Sequence, residues 1–558
     1  MILSFLTFLV VGALSFAGGS SEKPAGTSTS GTTASAGAAP AAGAVNSNPL
    51  SDVRVRQAIA YAIDMNSIIK NLMGGKAIPA NSLTPNGAWK TDGLNDYAYN
   101  PDKARQLLKE AHWDPNRVID VVYYYGDQMT ADLMAAVQAY LSDVGVKMTF
   151  RKLEGDLGAQ LWTPPVDPVK GPSTIKWDMA YAAIAALSMH EYYDRLLPGP
   201  TDSSIPANPE LDNLINATHA MDLDQQKKAF FALQKYENAN LPVIPLYYQQ
   251  VFVVQNKQLD RAGAAYGNEQ YNYDWNIVNW DIPADSSGKK VLKTNGGPIS
   301  FFETPALNPG NYMSTRVLYD HLVVADASLS QFKPQLASAF NVSADGKTIS
   351  FTLRDGIKWQ DGNPITSQDV KWSYEYYAKV PTVNALLLTM LKDLEGWDSY
   401  KSGQSTQISG ISIDGKTITF KFATADPDSL LLFSQFPPLP QKYFVNVDPL
   451  KFQQAEFFQH PIGSGPYMVK TVSMGNYATF VPFKGYFGGT AKIDEIQMYP
   501  STDNDTNLVK NASAHQVDYA YTKSVDDVTA LQKLDWLKIT PEDIRYTRMF
   551  WVNQFPKQ

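Results

Sequence analysis

The hydrophobic periodicity of this chain changes near Lys290, and that change constrains the fold more than any other feature. Over residues 51–254, segments with apolar residues at helical spacing alternate with short apolar runs typical of buried strands. Such alternation indicates α/β layering, in which helices cover a sheet. Beyond Lys290 the pattern favours strands. At 558 residues the chain is too long for one hydrophobic core, so we expect several domains.

The α/β half divides into eight predicted elements. Val55, Ala58, Ile59, Ala62 and Ile63 recur at helical spacing and predict one helix over residues 51–71. By the same reasoning we predict three further helices, over residues 101–111, 130–144 and 223–240. Apolar runs predict four strands, over residues 118–125, 146–153, 178–184 and 243–254.

Two stretches of the second half have almost the same sequence and predict two hairpins, over residues 340–353 and 408–422. Each places Asp-Gly between alternating apolar residues, a strong hairpin signal. The segment from Gly410 to Thr417 also matches the phosphate-loop pattern of Gly, four residues and Gly-Lys-Thr. A phosphate loop must open a helix, because the helix N-terminus holds the phosphates. Residues 418–422 alternate like a strand, so we predict a hairpin and no nucleotide site.

Composition excludes several function classes. The chain has no cysteine, which excludes disulfides, thiolate metal sites, thiol catalysis and lipid attachment through cysteine. A formal net charge of −8 argues against a nucleic-acid partner, which needs clustered Lys and Arg. There is neither a His-Glu-x-x-His zinc helix nor a Gly-x-Ser-x-Gly elbow. We therefore expect no enzyme, no cofactor and no metal.

The N-terminal segment has the pattern of an export signal. Residues 1–16 are an apolar run too short for a comfortable membrane span, and Ser15-Phe16-Ala17 offers small residues for cleavage. We predict a signal peptide over residues 1–17 and a flexible linker over residues 18–48, rich in Gly, Ala, Ser and Thr. The protein is then exported, to the periplasm or the outer face of the cytoplasmic membrane, without a lipid anchor through cysteine.

Five segments together carry a family resemblance. They are Leu353-Arg-Asp-Gly-Ile-Lys-Trp-Gln-Asp-Gly-Asn-Pro-Ile-Thr-Ser-Gln-Asp-Val370, Pro461-Ile-Gly-Ser-Gly-Pro-Tyr467, the stretch 483–494 with Tyr486-Phe-Gly-Gly, Asp52-Val-Arg-Val-Arg-Gln-Ala-Ile-Ala-Tyr-Ala-Ile-Asp64 and Asn100-Pro-Asp-Lys-Ala-Arg-Gln-Leu-Leu108. With them the chain resembles the extracellular solute-binding proteins of peptide-type ABC importers, family 5, from Asn48 to its last residue.

The resemblance implies an α/β fold of the two-lobed periplasmic-binding-protein (clamshell) kind, type II-like, with an extra β-rich domain. One lobe, lobe II, corresponds to residues 49–245. The other, lobe I, corresponds to residues 246–318 plus 461–558, and residues 319–460 correspond to the β-rich accessory domain, whose core we expect to contain Trp359 and Trp372. The resemblance further implies a monomer that traps a small-molecule ligand between its lobes and delivers it to an ABC permease in the membrane.

The family's segments occur here in exchanged order. In the family, the part resembling residues 290–558 comes first and the part resembling residues 48–285 follows. The chain therefore resembles a circular permutant, in which Phe550-Trp-Val-Asn-Gln-Phe-Pro556 would once have continued into Pro49-Leu-Ser-Asp-Val-Arg-Val-Arg56. The alternative is an artefact of gene assembly.

The resemblance also points to ligand-binding residues in a loop, in a crossing segment between the lobes and after the strand at 178–184. The predicted ligand-binding residues, which include aromatic and amide side chains, are Phe302, Glu303, Asn308, Tyr181, His190, Trp275, Tyr546, Arg548, Trp551 and Asn553. Peptide-binding relatives carry an Asp for the peptide's amino terminus where this chain has Leu187. That departure favours a neutral ligand such as an oligosaccharide, with an oligopeptide or dipeptide as the alternative and a sensor accessory as a further role.

Overall fold

The computed structural model describes residues 48–186, 188–199, 202–264, 276–295, 313–326, 331–500 and 507–557. Up to residue 264 helices and strands alternate, as the sequence predicts. The elements are α1 Val53–Ala62, α2 Met65–Leu72, β1 Ala77–Pro79, α3 Pro101–Glu110, β2 Val118–Tyr123, α4 Gln128–Asp143, β3 Lys147–Lys152, α5 Leu157–Trp162, β4 Met179–Ala185, α6 Glu191–Asp194, α7 Pro209–Ala217, α8 Leu223–Asn240 and β5 Val243–Asn256.

The prediction of one continuous helix over residues 51–71 is wrong. The helix breaks after Ala62, where Ile63 takes an extended backbone conformation. Asp64 then caps a second helix, because its carboxylate accepts the backbone N–H of Ser67 at 2.9 Å. An aspartate in this position satisfies an N–H group that has no partner inside the helix. The apolar spacing continues through the break, so periodicity alone could not show it.

Strands are more frequent in the second half. Its elements are β6 Val291–Asn295, α9 Met313–Leu318, β7 Val323–Ala325, β8 Phe332–Pro334, β9 Ala337–Val342, β10 Thr348–Leu353, α10 Ser367–Tyr377, α11 Ala385–Lys392, α12 Trp397–Lys401, β11 Ile411–Asp414, β12 Thr417–Lys421, α13 Ser429–Gln435, β13 Tyr467–Ser473, β14 Tyr477–Pro482, β15 Glu495–Tyr499, α14 Asn507–Ser513, β16 Tyr519–Thr522, α15 Val525–Leu531 and β17 Leu537–Val552.

One mixed sheet connects the two halves of the chain. Among the described residues it has eleven strands, ten of them in the order β13-β14-β15-β6-β16-β5-β17-β4-β2-β3, with β1 paired to β5. The two central strands, β5 and β17, are long and antiparallel to each other. One end of β17 pairs with β4, and the opposite end of β5 pairs with β16. These two strands therefore cross from one side of the molecule to the other.

The hydrophobic core is divided into several separate clusters. Two clusters combine residues from Leu50 to Tyr247 with the end of β17, and we call this body lobe II. Two further clusters combine residues between Val253 and Ile539, and we call this body lobe I. A third body, the accessory domain, has its own core between Leu322 and Phe458. Trp359 is buried in that core and Trp372 packs against it, which confirms the prediction for these two residues.

The two predicted hairpins form a single sheet in the accessory domain. Its strand order is β11-β12-β10-β9, so the hairpins pair through β10 and β12. Gly346 and Gly415 occupy the turns with positive φ angles of 71° and 56°. Thr417 begins strand β12 rather than a helix. The phosphate-loop match is therefore a hairpin, as predicted.

The Pro461–Tyr467 motif joins the accessory domain to lobe I. A Cβ at Gly463 would overlap the carbonyl oxygen of Leu318, and one at Gly465 would lie 2.5 Å from the carbonyl oxygen of Val317. Between them, the Ser464 hydroxyl accepts the backbone N–H of Asp320 at 2.9 Å. Only glycine lets this segment approach the end of α9 so closely.

Within the described part of the chain, the longest apolar helices are too short or too polar to cross a bilayer.

Candidate ligand cleft

The parallel strands of both lobes end at the same place, where β5 and β17 cross. In lobe II, β2, β3 and β4 are parallel, and the last residue of β4, Ala185, pairs with Tyr546 of β17. In lobe I, β6 and β16 are parallel, and the last residue of β16, Thr522, pairs with Phe252 of β5. Open α/β sheets bind ligands beyond the carboxyl ends of their strands. We call the region around Tyr546 and Phe252 the crossover.

Arg548 of β17 lies at the crossover within a group of tyrosines. The centre of its guanidinium group is 4.1 Å from the ring centroid of Tyr125, 5.0 Å from that of Tyr546 and 5.7 Å from that of Tyr181. Its Nε donates to Oε1 of Gln249 at 2.9 Å. Its Nη1 is shielded from solvent and has no hydrogen-bond partner. Aromatic faces hold the cation in place through cation–π attraction.

The tyrosine hydroxyls around Arg548 pair with one another. The hydroxyls of Tyr124 and Tyr125 lie 2.9 Å apart, and those of Tyr181 and Tyr247 lie 2.7 Å apart. Burial raises the pKa of all four hydroxyls above the usual tyrosine value. They are therefore neutral O–H groups at physiological pH. We call Arg548 with Tyr124, Tyr125, Tyr181 and Tyr546 the Arg548 cluster.

The cluster brings together three of the predicted ligand-binding residues, Tyr181, Tyr546 and Arg548. Tyr546 and Arg548 are half-buried, whereas Tyr181 is buried beneath them. The structure does not bring Trp551 or Asn553 to this group.

Trp551 and Asn553, two of the residues predicted to contact ligand, lie in the core of lobe II. Trp551 is buried and packs edge-to-face against Trp162, with ring centroids 5.4 Å apart. Asn553 is fully buried, and its amide donates to Oγ of Ser173 and to the carbonyl oxygen of Trp177. Both side chains hold β17 against lobe II.

His190, another residue predicted to contact ligand, has both ring nitrogens bonded within the protein. Its Nε2 lies 2.9 Å from the carbonyl oxygen of Thr218, and its Nδ1 lies 2.9 Å from Oδ2 of Asp428 in the accessory domain. A carbonyl oxygen can only accept, and so can an ionised carboxylate, so both ring nitrogens carry protons. His190 is therefore a buried imidazolium that joins lobe II to the accessory domain.

Four of the predicted residues, Phe302, Glu303, Asn308 and Trp275, lie outside the described residues. Leu187, which occupies the position of the peptide-specific Asp, does as well. Asn276 and Trp280, which follow the predicted residue Trp275 in the sequence, bond to each other, with Trp280 Nε1 donating to Asn276 Oδ1 at 2.8 Å. Trp280 is fully buried in lobe I.

Sequence reasoning missed Tyr124, Tyr125 and Gln249. The two tyrosines follow β2 directly, in the run Tyr123-Tyr124-Tyr125-Gly126. Aromatic residues at the carboxyl end of a parallel strand are a usable signal for a binding site. Gln249 has no such signal, because its role depends on the pairing of β5 with β17. No group of three or more acidic or histidine side chains suited to a metal ion occurs among the described residues.

Comparisons with known proteins agree on one family. The model of the bacterial extracellular solute-binding proteins, family 5 Middle, matches residues 22–184 and 331–555. A Brucella ovis relative named as an ABC transporter peptide-binding protein is 40% identical over 106 residues, which are 18% of this chain and 20% of that protein. The dipeptide-binding protein DppE of Bacillus subtilis is 26% identical over 302 residues, 49% of this chain and 50% of the relative. The chain thus spans between a fifth and half of the length of these relatives.

Among solved structures, the oligopeptide-binding protein AppA of Bacillus subtilis, in complex with a nonapeptide, is 19% identical. The superposition has a TM-score of 0.36 and covers 43% of this chain and 46% of that one.

Proposed function

We propose that this chain, which belongs to the family 5 bacterial extracellular solute-binding proteins, captures a solute at the crossover between its lobes and delivers it to an ABC permease. One observation carries the proposal. The carboxyl ends of the parallel strands of both lobes face the crossover, and the Arg548 cluster lies there. A concave site with aromatic walls and a few polar groups is the usual form of a ligand site.

We propose a peptide as the solute, in place of the oligosaccharide that the sequence favoured. The names of the relatives support this choice, since they include peptide-binding and dipeptide-binding proteins. The described residues at the crossover support it too. Trp551 and Trp280, which could have stacked on sugar rings, are buried in the cores of the lobes. The half-buried residues at the crossover are tyrosines around a cation, and a peptide carboxylate would neutralise that cation whereas a neutral sugar would not.

The proposed site of action is outside the cytoplasm, in keeping with the family's extracellular description. The signal peptide at residues 1–17, the linker at residues 18–48 and the monomeric state stay predictions. We also propose that binding proceeds without chemical change to the solute.

We propose further that the family's two segments occur in exchanged order. The support comes from contacts between the two ends of the described chain. Residues 553–556 and 48–51, which are contiguous in the family, lie side by side here. The side chain of Asn48 donates to the carbonyl oxygens of Asn553 and Phe555.

Thermal unfolding of the purified protein tests the binding proposal. A ligand that binds only the folded state raises the midpoint by mass action. We expect a pool of di- to pentapeptides to raise it and a pool of neutral oligosaccharides to leave it unchanged, with chromatography showing the peptides intact afterwards. Stabilisation by the oligosaccharides alone, or consumption of the peptides, would contradict the proposal.

A further inference from the structure

Arg548 has no counter-charge within the described part of the chain. Its Nε bonds to a neutral amide, that of Gln249, and the groups stacked around it are tyrosine rings. Its Nη1 is shielded from solvent and makes no hydrogen bond. A half-buried charge with an unsatisfied N–H group is costly, and proteins normally pair such charges. A negatively charged group on a bound solute would supply that pairing.

The surrounding hydroxyls also have more protons than acceptors. In each of the pairs Tyr124–Tyr125 and Tyr181–Tyr247, one hydroxyl donates to the other. The accepting hydroxyl keeps its own proton, because a phenol is both donor and acceptor. Its proton then has no acceptor among the described side chains. The Arg548 cluster thus combines unused N–H and O–H donors, an arrangement that suits an oxyanion.

We propose that the Arg548 cluster is a receptor for a carboxylate group of the bound solute. This inference rests on the proposed binding function and specifies the charge of its ligand. A carboxylate has four lone-pair positions on two oxygens and matches the planar edge of a guanidinium group. Sugar hydroxyls would leave the positive charge of Arg548 without compensation.

The other charges near the cluster do not neutralise it. Lys523 places its ammonium group 5.3 Å from the ring centroid of Tyr546, adding positive charge. Arg195 is paired with Glu191 on α6. Asp127 caps α4, and its carboxylate accepts from the backbone and hydroxyl of Thr130. Among the described residues, none of these charged groups pairs with Arg548.

Comparing peptides with their C-terminal amides tests the contribution of the carboxylate separately from that of the rest of the ligand. The probes are a pooled tripeptide library with free carboxyl termini and the same library amidated at the carboxyl terminus. The proteins are wild type, Arg548→Met, Arg548→Lys and the control Arg105→Met. Arg105 forms an exposed pair with Asp102 on α3, so its loss removes an arginine far from the crossover. Apparent affinity is measured from the ligand-dependent shift of the unfolding midpoint.

We expect wild type and Arg105→Met to bind the free acids at least about tenfold more tightly than the amides, because charge-assisted hydrogen bonds are strong. Arg548→Met should lose that preference while binding the amides as wild type does. Arg548→Lys should retain part of it, since it keeps the charge and loses the planar fork. The unliganded midpoint of each variant shows that it folds.

Two other outcomes are decisive in different ways. Equal binding of acids and amides by wild type would overturn the carboxylate receptor and leave peptide binding intact. No binding of either pool would overturn the peptide proposal instead. In that case, the peptides are replaced by oligogalacturonate, which carries carboxylates, and by its methyl ester, which does not. If wild type binds these two equally, or binds neither, the proposal of a carboxylate receptor is overturned as well.

Discussion

Asn48 is hydrogen-bonded to Asn553, although 505 positions separate the two residues in the sequence. The Nδ2 of Asn48 donates to the carbonyl oxygen of Asn553 at 2.7 Å and to that of Phe555 at 2.8 Å. Its Oδ1 accepts the backbone N–H of Leu50 at 3.1 Å. The side chain is buried, and two of these three hydrogen bonds join the segment before α1 to the residues that follow β17.

We predict that Asn48→Ala lowers the free energy of unfolding by about 2 to 3 kcal/mol, because two buried carbonyl groups lose their donor. The measurement is the urea midpoint followed by tryptophan fluorescence. Asn100→Ala is the control, since Asn100 is exposed and only caps α3 through the N–H of Lys103. It should cost about 1 kcal/mol. Equal losses in the two variants would show that the bonds to β17 contribute nothing.

The ion pair between His190 and Asp428 predicts a pH dependence. Burial opposes the charge on His190, but the carboxylate of Asp428 and the bond to Thr218 outweigh it and raise the pKa of His190 from 6.5 to about 9. A raised pKa stabilises the folded state fully below pH 6.5, and the stabilisation is lost as pH rises through about 9. His219 stacks on His190 with centroids 4.3 Å apart and bonds to Asp194 at 2.9 Å.

The second carboxylate at this interface, Asp426, has its pKa raised by burial and by the neighbouring Asp428. We expect the wild-type unfolding midpoint to fall between about pH 7 and pH 10 by an amount equivalent to about 2 to 3 kcal/mol. Asp428→Asn should be less stable near neutrality and should lack most of this fall. His460→Gln, which changes an exposed histidine, should behave as wild type. The same fall in Asp428→Asn as in wild type would refute the assignment.

The close approach of Gly463 to α9 predicts a position intolerant of any side chain. In Gly463→Ala the new methyl group would overlap the carbonyl oxygen of Leu318, so the accessory domain must move away from lobe I. We expect a loss of about 3 kcal/mol or more, or insoluble protein. Gly199→Ala is the control, because the nearest atom to its Cβ is 3.8 Å away. Full stability of Gly463→Ala in a urea titration would contradict this packing.

Periodicity and motif order predicted most of the fold, because helices and strands with one buried face repeat their apolar residues regularly. The helix Leu223–Asn240 agrees with the predicted range of residues 223–240. The break at Ile63 was not predictable in this way, because a side-chain cap at Asp64 causes it while the apolar spacing continues. The candidate site was even harder to predict from the sequence. Arg548 and Tyr125 meet only because β17 pairs with β4 beside β2, and the exposure of Trp551 depends on how lobe II packs.

Mass spectrometry of the small molecules released from the natively purified protein tests the central claim most directly. The protein is purified without denaturant, the bound solute is released by acid, and the released material is compared with that from Arg548→Met. We predict short peptides with free carboxyl termini from the wild-type protein and much less of them from the variant. A neutral oligosaccharide from the wild-type protein, or the same peptides in equal amount from both proteins, would contradict the account.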